Sequence, residues 1–294
     1  MNDVSVNYNI ARRIRENETF EEMIDSNLKI YSEAGFTYID MDLSYMTPGW
    51  DKTSPIGNEH WENSAYQFKE CAIKNGISFY QVHGAMFDYF AIKEPDISDE
   101  LTKKSIKIAG ILGTKYIVFH PHYFREFTAD ENIRKTLYDF ERLLKWTGNA
   151  GIGLLIENMP NWGNHFNRTE DVIEIVDYFN TENFGICWDT SHASMEYQNE
   201  QDKEILKAGS RIKAVHMSDN LFRTQPPHAF TDDHMMPFEG YIDWRKIKNA
   251  LVKAGYKGTY NLELLNYSAM PSEAQKLSIK LAYTVADYIA NDLI

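Results

Sequence analysis

Several short apolar runs of the chain end in a carboxylate or imidazole side chain. The residues at these ends are His83, His120, Glu157, Asp189, His216 and Glu263. A single histidine or glutamate in such a place is usually a solvated or capping residue. If a fold gathers them, however, they repel one another or lose hydration unless a cation compensates them. Mixed oxygen and nitrogen ligands suit Mn, Zn, Co or Fe better than Ca. These residue types therefore predict a divalent-metal site.

A second polar cluster lies between Ser218 and Tyr241, and it contains Asp232 and His234. In an extended segment these two side chains would point the same way. Loops of this length often carry function, although a solvated surface loop would show the same composition. Asp243, at the end of the cluster, precedes an apolar-periodic stretch and is interpreted as a helix N-cap.

The elements that must position these residues alternate along the chain. Apolar, β-branched runs predict eight strands at 4–8, 36–43, 77–83, 115–120, 153–157, 184–189, 212–216 and 258–264. Residues spaced by three and four predict helices between them. The helical sets are Phe20, Met23, Ile24, Leu28 and Tyr31; Leu137, Phe140, Leu143 and Leu144; Trp244, Ile247, Leu251 and Val252; and Leu277, Leu281 and Val285. Gly35, Gly76, Gly151 and Gly255 are predicted to end helices in the left-handed conformation.

Strands that alternate with helices predict a parallel sheet. Eight of them favour a closed barrel, and no GxGxxG motif follows the first strand to support a dinucleotide-binding sheet. We therefore predict an α/β fold, a (β/α)8 TIM barrel formed as a single domain by residues 1–294. In such barrels the chemistry lies at the carboxyl ends of the strands, which is where the acidic and imidazole residues fall.

Composition restricts the partners and the compartment. The 294 residues carry 30 basic and 43 acidic side chains, a net charge of −13 that disfavours nucleic acid as a partner. Cys71 and Cys187 are too few for a disulfide framework, and Cys187 is predicted to be a buried apolar residue. Neither a signal sequence nor a membrane-spanning run is recognisable, so a cytoplasmic location without membrane association is expected. A homo-oligomer is left open.

Five segments together resemble the xylose-isomerase-like TIM barrel superfamily. They are IENMP from Ile156, CWDTSHA from Cys187, VHMSDN from Val215, DDHMMPFEGYIDW from Asp232 and NLELL from Asn261. This superfamily joins sugar and sugar phosphate isomerases and epimerases to apurinic endonucleases of the endonuclease IV type, also described as AP endonuclease family 2. The resemblance covers essentially the whole chain.

The resemblance implies roles for particular residues. In the epimerases, the positions of Glu157, Asp189, His216 and Glu263 bind one catalytic divalent ion (Mn, Co, Mg or Zn), and that of His192 contacts a substrate oxygen. In the endonuclease branch, the positions of His83, His120, His192, Asp232 and His234 complete a cluster of three zinc ions. Two departures from the endonuclease pattern are Ser191 in place of a cysteine and Phe238 in place of a glycine.

The preferred hypothesis is a metal-dependent sugar or sugar phosphate isomerase or epimerase that acts on a small carbohydrate in carbohydrate metabolism. A metal-stabilised enediolate would form and collapse with Glu157 and Glu263 as acid and base on opposite faces of the substrate. Three alternatives stay open. They are a metal-dependent lyase or dehydratase on the same scaffold, an endonuclease IV-type zinc phosphodiesterase acting on abasic DNA, and a non-catalytic sugar-binding barrel.

Aromatic and basic residues near the strand ends are candidates for the substrate pocket. Those that could contact a sugar are Tyr45, Trp50, Phe87, Tyr89, Tyr123, Phe124 and Trp162. A phosphorylated substrate would need a cation, for which Arg125, Arg168 and Arg223 are the candidates.

Overall fold

The structure is a computed structural model, and it describes residues 1–8, 18–43, 60–84, 95–121, 127–160, 166–222, 232–265 and 270–293. Within these ranges the strands are β1 (Val4–Val6), β2 (Met41–Asp42), β3 (Gln81–His83), β4 (Tyr116–Phe119), β5 (Gly153–Glu157), β6 (Phe184–Asp189), β7 (Ile212–His216) and β8 (Tyr260–Leu262). The predicted bounds of β5, β6 and β7 are confirmed. The other predicted strands are longer than the observed ones, because outside the paired cores their neighbours meet only at single bridges such as Tyr38 with Ser78.

The strands form a parallel ring in chain order. β2 to β7 make one continuous ladder, and β1 pairs with β8. Parallel bridges between Asn7 and Asp40 and between Met217 and Leu262 connect the two ladders. The predicted (β/α)8 barrel is confirmed, whereas the assignment of residues 1–294 to one domain stays a prediction.

Helices cover the outside of the ring. They are α1 (Phe20–Ala34), α2 (Trp61–Lys74), α3 (Pro95–Leu112), α4 (Ala129–Ala150), α5 (Thr169–Phe179), α6 (Thr190–Tyr197), α7 (Gln201–Ala208), α8 (Trp244–Lys253) and α9 (Ser272–Asp287). Asp243 accepts a hydrogen bond from the backbone N–H of Lys246, which confirms it as the N-cap of α8. None of the helices in the described ranges has the length and apolarity needed to cross a bilayer.

The apolar faces predicted for α1 and α4 point inward, with Ile24, Leu28 and Phe140 buried. The face predicted for α9 is wrong for two of its three residues, since only Val285 packs against the core. Leu277 and Leu281 are 72% and 51% exposed, and the buried residues are Gln275, Ile279, Ala282 and Ala286. The buried side of α9 therefore combines Ile279 with two alanines, and the two leucines lie outside it.

The predicted left-handed glycines confirm the helix ends, since Gly35, Gly76, Gly151 and Gly255 all have positive φ angles. Gly35 carries a second constraint. A Cβ atom at this position would lie 2.7 Å from the ring of Tyr283 on α9, whereas one at Gly76 would meet nothing within 4 Å.

Gly35→Ala should therefore destabilise the protein more than Gly76→Ala. Left-handed strain costs about 1–2 kcal/mol at Gly76 and at least as much at Gly35, whose φ is +117° compared with +68°. Overpacking against α9 adds about 1–3 kcal/mol at Gly35 alone. Urea unfolding midpoints of the two variants measure the difference. Equal midpoints would show that the contact between Gly35 and Tyr283 is not a constraint.

Candidate metal centre

The alternation of side chains along parallel strands brings the polar strand ends together. The barrel interior holds an apolar cluster that includes Val118, Leu155, Cys187 and Ala214. Residues two positions further along a strand share the same face, and these are His120, Glu157, Asp189 and His216. The sequence thus places the acidic and imidazole side chains directly above the apolar filling of the barrel.

The central group consists of Glu157, Asp189, His216 and Glu263, which each offer a ligand atom within 4.8 Å of all the others. His216 Nδ1 lies 2.9 Å from Glu157 Oε1 and 3.3 Å from Glu263 Oε2. Glu157, Asp189 and His216 are at most 1% exposed. Glu263 is the open member, with 19% of its side chain exposed.

Two histidines flank Glu157 on the side of β3 and β4. Glu157 Oε2 is 3.2 Å from His83 Nε2 and 3.1 Å from His120 Nε2. The two imidazoles are themselves 3.1 Å apart, and His83 Nδ1 contacts the Gly84 carbonyl oxygen. These three residues form a second group of convergent ligands that shares Glu157 with the central group.

A third group lies on the other side and brings in the polar cluster after β7. His192 Nε2 is 3.0 Å and His234 Nε2 is 2.8 Å from Asp232 Oδ2. Asp189, His192 and His234 also converge as possible ligands, so Asp189 is shared as Glu157 is. His192 Nδ1 faces the Asn158 carbonyl oxygen at 2.8 Å, so both nitrogens of this ring are engaged by the protein.

The structure therefore brings together all nine acidic and imidazole residues that the sequence proposed for the site. The metal-binding and catalytic roles of these residues stay predictions. Cys187 is buried beneath them, and burial raises the pKa of its thiol, which agrees with an apolar rather than nucleophilic role. The aromatic candidates, together with Arg125 and Arg223, lie outside the described residues. Arg168 is described, but 59% of its side chain is exposed and it faces Asp171.

Electrostatics distinguish the two glutamates. Burial opposes ionisation of Glu157, but the charge of His216 and hydrogen bonds from the surrounding imidazoles outweigh it and hold its pKa well below the usual range. Burial raises the pKa of Glu263, with repulsion from Glu157 and Asp189 adding to it. Burial also lowers the pKa of His120, whereas His83 reaches a pKa of about 9 because contact with Glu157 overcomes its burial.

A divalent cation fits the central group. Asp189 is 0% exposed, yet its Oδ2 atom has no hydrogen-bond partner among the described residues. An unpaired buried carboxylate oxygen is costly unless a cation or water meets it. Three carboxylates and one imidazole also form a donor set that Mn, Co or Zn accepts.

Three polar residues that the sequence did not single out as functional hold Asp189 and Asp232 in place. Asn158 donates from Nδ2 to the Asp189 carbonyl oxygen and accepts at Oδ1 from the Asp189 N–H. Ser191 donates to Asp232 Oδ1 at 2.9 Å, and Asn220 Nδ2 donates to Ser191 Oγ. The only sequence signal for them was their position beside a predicted ligand in IENMP, CWDTSHA or VHMSDN.

Asp219 fixes the segment that follows Asp232 and His234. Its carboxylate accepts from the backbone N–H groups of Asn220, Phe238 and Ile242 and from the indole N–H of Trp244. The backbone of Asp219 also pairs with that of Met235. Phe238, in a position suited to glycine, has a φ of +76°, and its bond to Asp219 helps to hold this strained conformation.

Comparison with known proteins agrees with this architecture. Residues 28–283 match the xylose isomerase-like TIM barrel family. The chain belongs to this family. A probable endonuclease 4 of Mesomycoplasma hyopneumoniae strain J is 27% identical over 162 residues, which cover 52% of this chain and 57% of that protein.

Solved structures resemble the chain over its whole length. D-psicose 3-epimerase from Clostridium cellulolyticum H10, crystallised with D-tagatose, has a TM-score of 0.72 at 15% identity and 99% coverage of both chains. The IolI protein with a bound zinc atom has a TM-score of 0.72 at 18% identity, again with 99% of both chains covered. At these identities the likeness establishes the fold.

Asp219→Asn should destabilise the protein by about 2–4 kcal/mol, because the carboxamide turns an N–H group toward neighbours that are all donors. Asp243→Asn is the matched control, since asparagine also caps helices well. Urea unfolding of both variants measures the effect. Equal stability of the two would show that Asp219 does not anchor the 232–242 segment.

Proposed function

We propose that the protein is a divalent-metal-dependent isomerase or epimerase of a small carbohydrate. The observation that carries this proposal is the central group, in which two glutamates from β5 and β8 converge with Asp189 and His216. A binding site for a neutral sugar has little need of buried carboxylates so close together. An epimerase that works by a two-base mechanism uses two such groups, one on each face of the reacting carbon.

Glu157, Asp189, His216 and Glu263 would hold the ion. When bound, a divalent cation polarises a carbonyl oxygen and stabilises negative charge that develops on the substrate. A protein of the same fold, IolI, has been solved with a bound zinc atom, which supports a metal-binding role, and Mn, Co, Mg and Zn are all candidates.

The two glutamates would move the proton. They project from strands that are three places apart in the ring, so they approach a substrate between them from different directions. One removes the proton from the carbon beside the carbonyl, and the other returns a proton to it. Glu263 is the more accessible of the two, since Glu157 is enclosed by His83, His120 and His216.

His192 would contribute to the polar wall of the substrate site. Asp232 balances its charge at 3.0 Å, and Asn158 fixes its orientation. A substrate hydroxyl that approached this ring would have to share it with Asp232. His192 therefore acts as an orienting group and not as the base.

The test is whether the hydrogen on the carbon beside the carbonyl exchanges with solvent. The metal-loaded protein should incorporate deuterium from D₂O beside the carbonyl of a ketohexose such as D-fructose, D-psicose or D-tagatose, and NMR would follow it. Glu157→Gln and Glu263→Gln should each lower exchange by about 10²- to 10⁴-fold, because each loses a proton-transfer group.

Glu33→Gln serves as the control, since Glu33 is an exposed residue paired with Lys29. Metal content and circular dichroism of each variant establish that it is loaded and folded. Full turnover by either folded, loaded glutamine variant would contradict the two-glutamate mechanism. Absence of exchange with a broad panel of ketoses and aldoses would contradict the proposed reaction.

A zinc phosphodiesterase is the second candidate, favoured by the two flanking groups. His83 with His120, and His192 with His234, extend the central group through the shared Glu157 and Asp189. Two or three zinc ions could then activate water and clamp a phosphate. The net charge of −13 weighs against a duplex substrate. Nicking of an abasic-site duplex by the zinc-loaded protein, lost in His83→Ala, would establish this activity instead.

A further inference from the structure

A buried polar layer lies directly beneath the metal centre on one side of the barrel. On β4 to β7 the residues directly below the site are apolar. At the same level, β1, β3 and β8 carry the polar residues Ser5, Gln81 and Asn261. Asp40, the residue before β2, joins them and is 2% exposed. A carboxylate at this depth needs a reason, because its desolvation is costly unless specific partners compensate it.

The side-chain partners of Asp40 all approach its Oδ2 atom, and its Oδ1 atom has no hydrogen-bond partner among the described residues. Gln81 Nε2 donates to it at 2.9 Å, and Asn261 Nδ2 donates at 3.1 Å. His216 Nε2 lies 3.2 Å from the same oxygen. Through this one oxygen, Asp40, which directly precedes β2, contacts residues of β3, β7 and β8.

This arrangement bears on the two nitrogens of His216. Nδ1 faces Glu157 and Glu263, whereas Nε2 lies 3.2 Å from Asp40 Oδ2 and forms no aligned hydrogen bond with any described residue. A neutral imidazole carries one proton and one lone pair. A carboxylate facing Nε2 favours the proton on that nitrogen, which leaves the lone pair of Nδ1 for a cation.

We infer that Asp40 is a positioning residue that keeps His216 protonated on Nε2 and presents Nδ1 as the metal ligand. This inference rests on the metal site of the proposed function. The amides of Gln81 and Asn261 keep the carboxylate in place, and Ser5 in turn donates to Asn261 Oδ1 at 2.8 Å. Asp40 contacts neither Glu157 nor Glu263 in this network, so its effect on the ion passes through His216.

Asp40→Asn keeps the shape of the side chain and removes its charge. Cobalt(II) titration of the metal-free protein, followed by the visible absorption of the bound ion, should show affinity lowered by about 10- to 100-fold. Asp139→Asn is the matched control, because it removes the charge of another buried aspartate, which lies on α4 outside the ring and pairs with Lys135 and Arg142. Its affinity should stay at the wild-type value. Wild-type affinity in Asp40→Asn, with only its unfolding midpoint lowered, would overturn the inference and leave the metal site intact.

A second measurement needs no variant and therefore does not depend on Asp40→Asn folding. Long-range ¹⁵N–¹H NMR of the zinc-loaded wild-type protein reports which nitrogen of His216 carries the proton. A proton on Nε2 with Nδ1 bound to the ion is the expected result. Binding through Nε2 would overturn the role of Asp40 alone. No binding of zinc or cobalt by the wild-type protein would overturn the proposed metal site as well.

Discussion

The crowding of carboxylates at the carboxyl ends of the strands is the constraint on which the site depends. Glu157 is 1% exposed and lies within 3.6 Å of four imidazoles, from His83, His120, His192 and His216. In a desolvated environment such charges interact strongly, and neither the carboxylates nor the imidazoles would be tolerated without the other. The strands of the barrel supply the rigidity that keeps them at these distances.

Support for this cluster comes from two directions. From below, Asp40 and the amides around it face His216. From above, the Asp219 carboxylate accepts hydrogen bonds from four N–H groups. These bonds fix the segment that follows Asp232 and His234. Both supports are buried carboxylates that are anchored by several donors, which is the arrangement that makes a desolvated charge stable. Residues outside the candidate metal site thus help to determine where its side chains lie.

Much of the site was predictable because the barrel obeys simple periodicities. Apolar runs located β5, β6 and β7, and side-chain alternation then placed Glu157, Asp189 and His216 on one face. The role of Asp40 was not predictable, since it lies within the run YIDMDL and its partners Gln81, His216 and Asn261 are distant in sequence. The α9 face was mispredicted in part, because the sequence predicted the leucines to face inward, whereas Ile279, Ala282 and Ala286 are buried and Leu277 and Leu281 are exposed.

The location and number of metal ions test the central claim most directly. Crystals of protein purified without a chelator or a metal-binding tag should be measured at the Mn, Co and Zn absorption edges. One anomalous peak among Glu157, Asp189, His216 and Glu263 is the predicted result. Three zinc peaks, with the outer ones at His83 and His120 and at His192 and His234, would contradict the single-ion isomerase and favour the phosphodiesterase. If crystals soaked with saturating Mn, Co or Zn showed no anomalous peak at the central group, the metal centre itself would be contradicted.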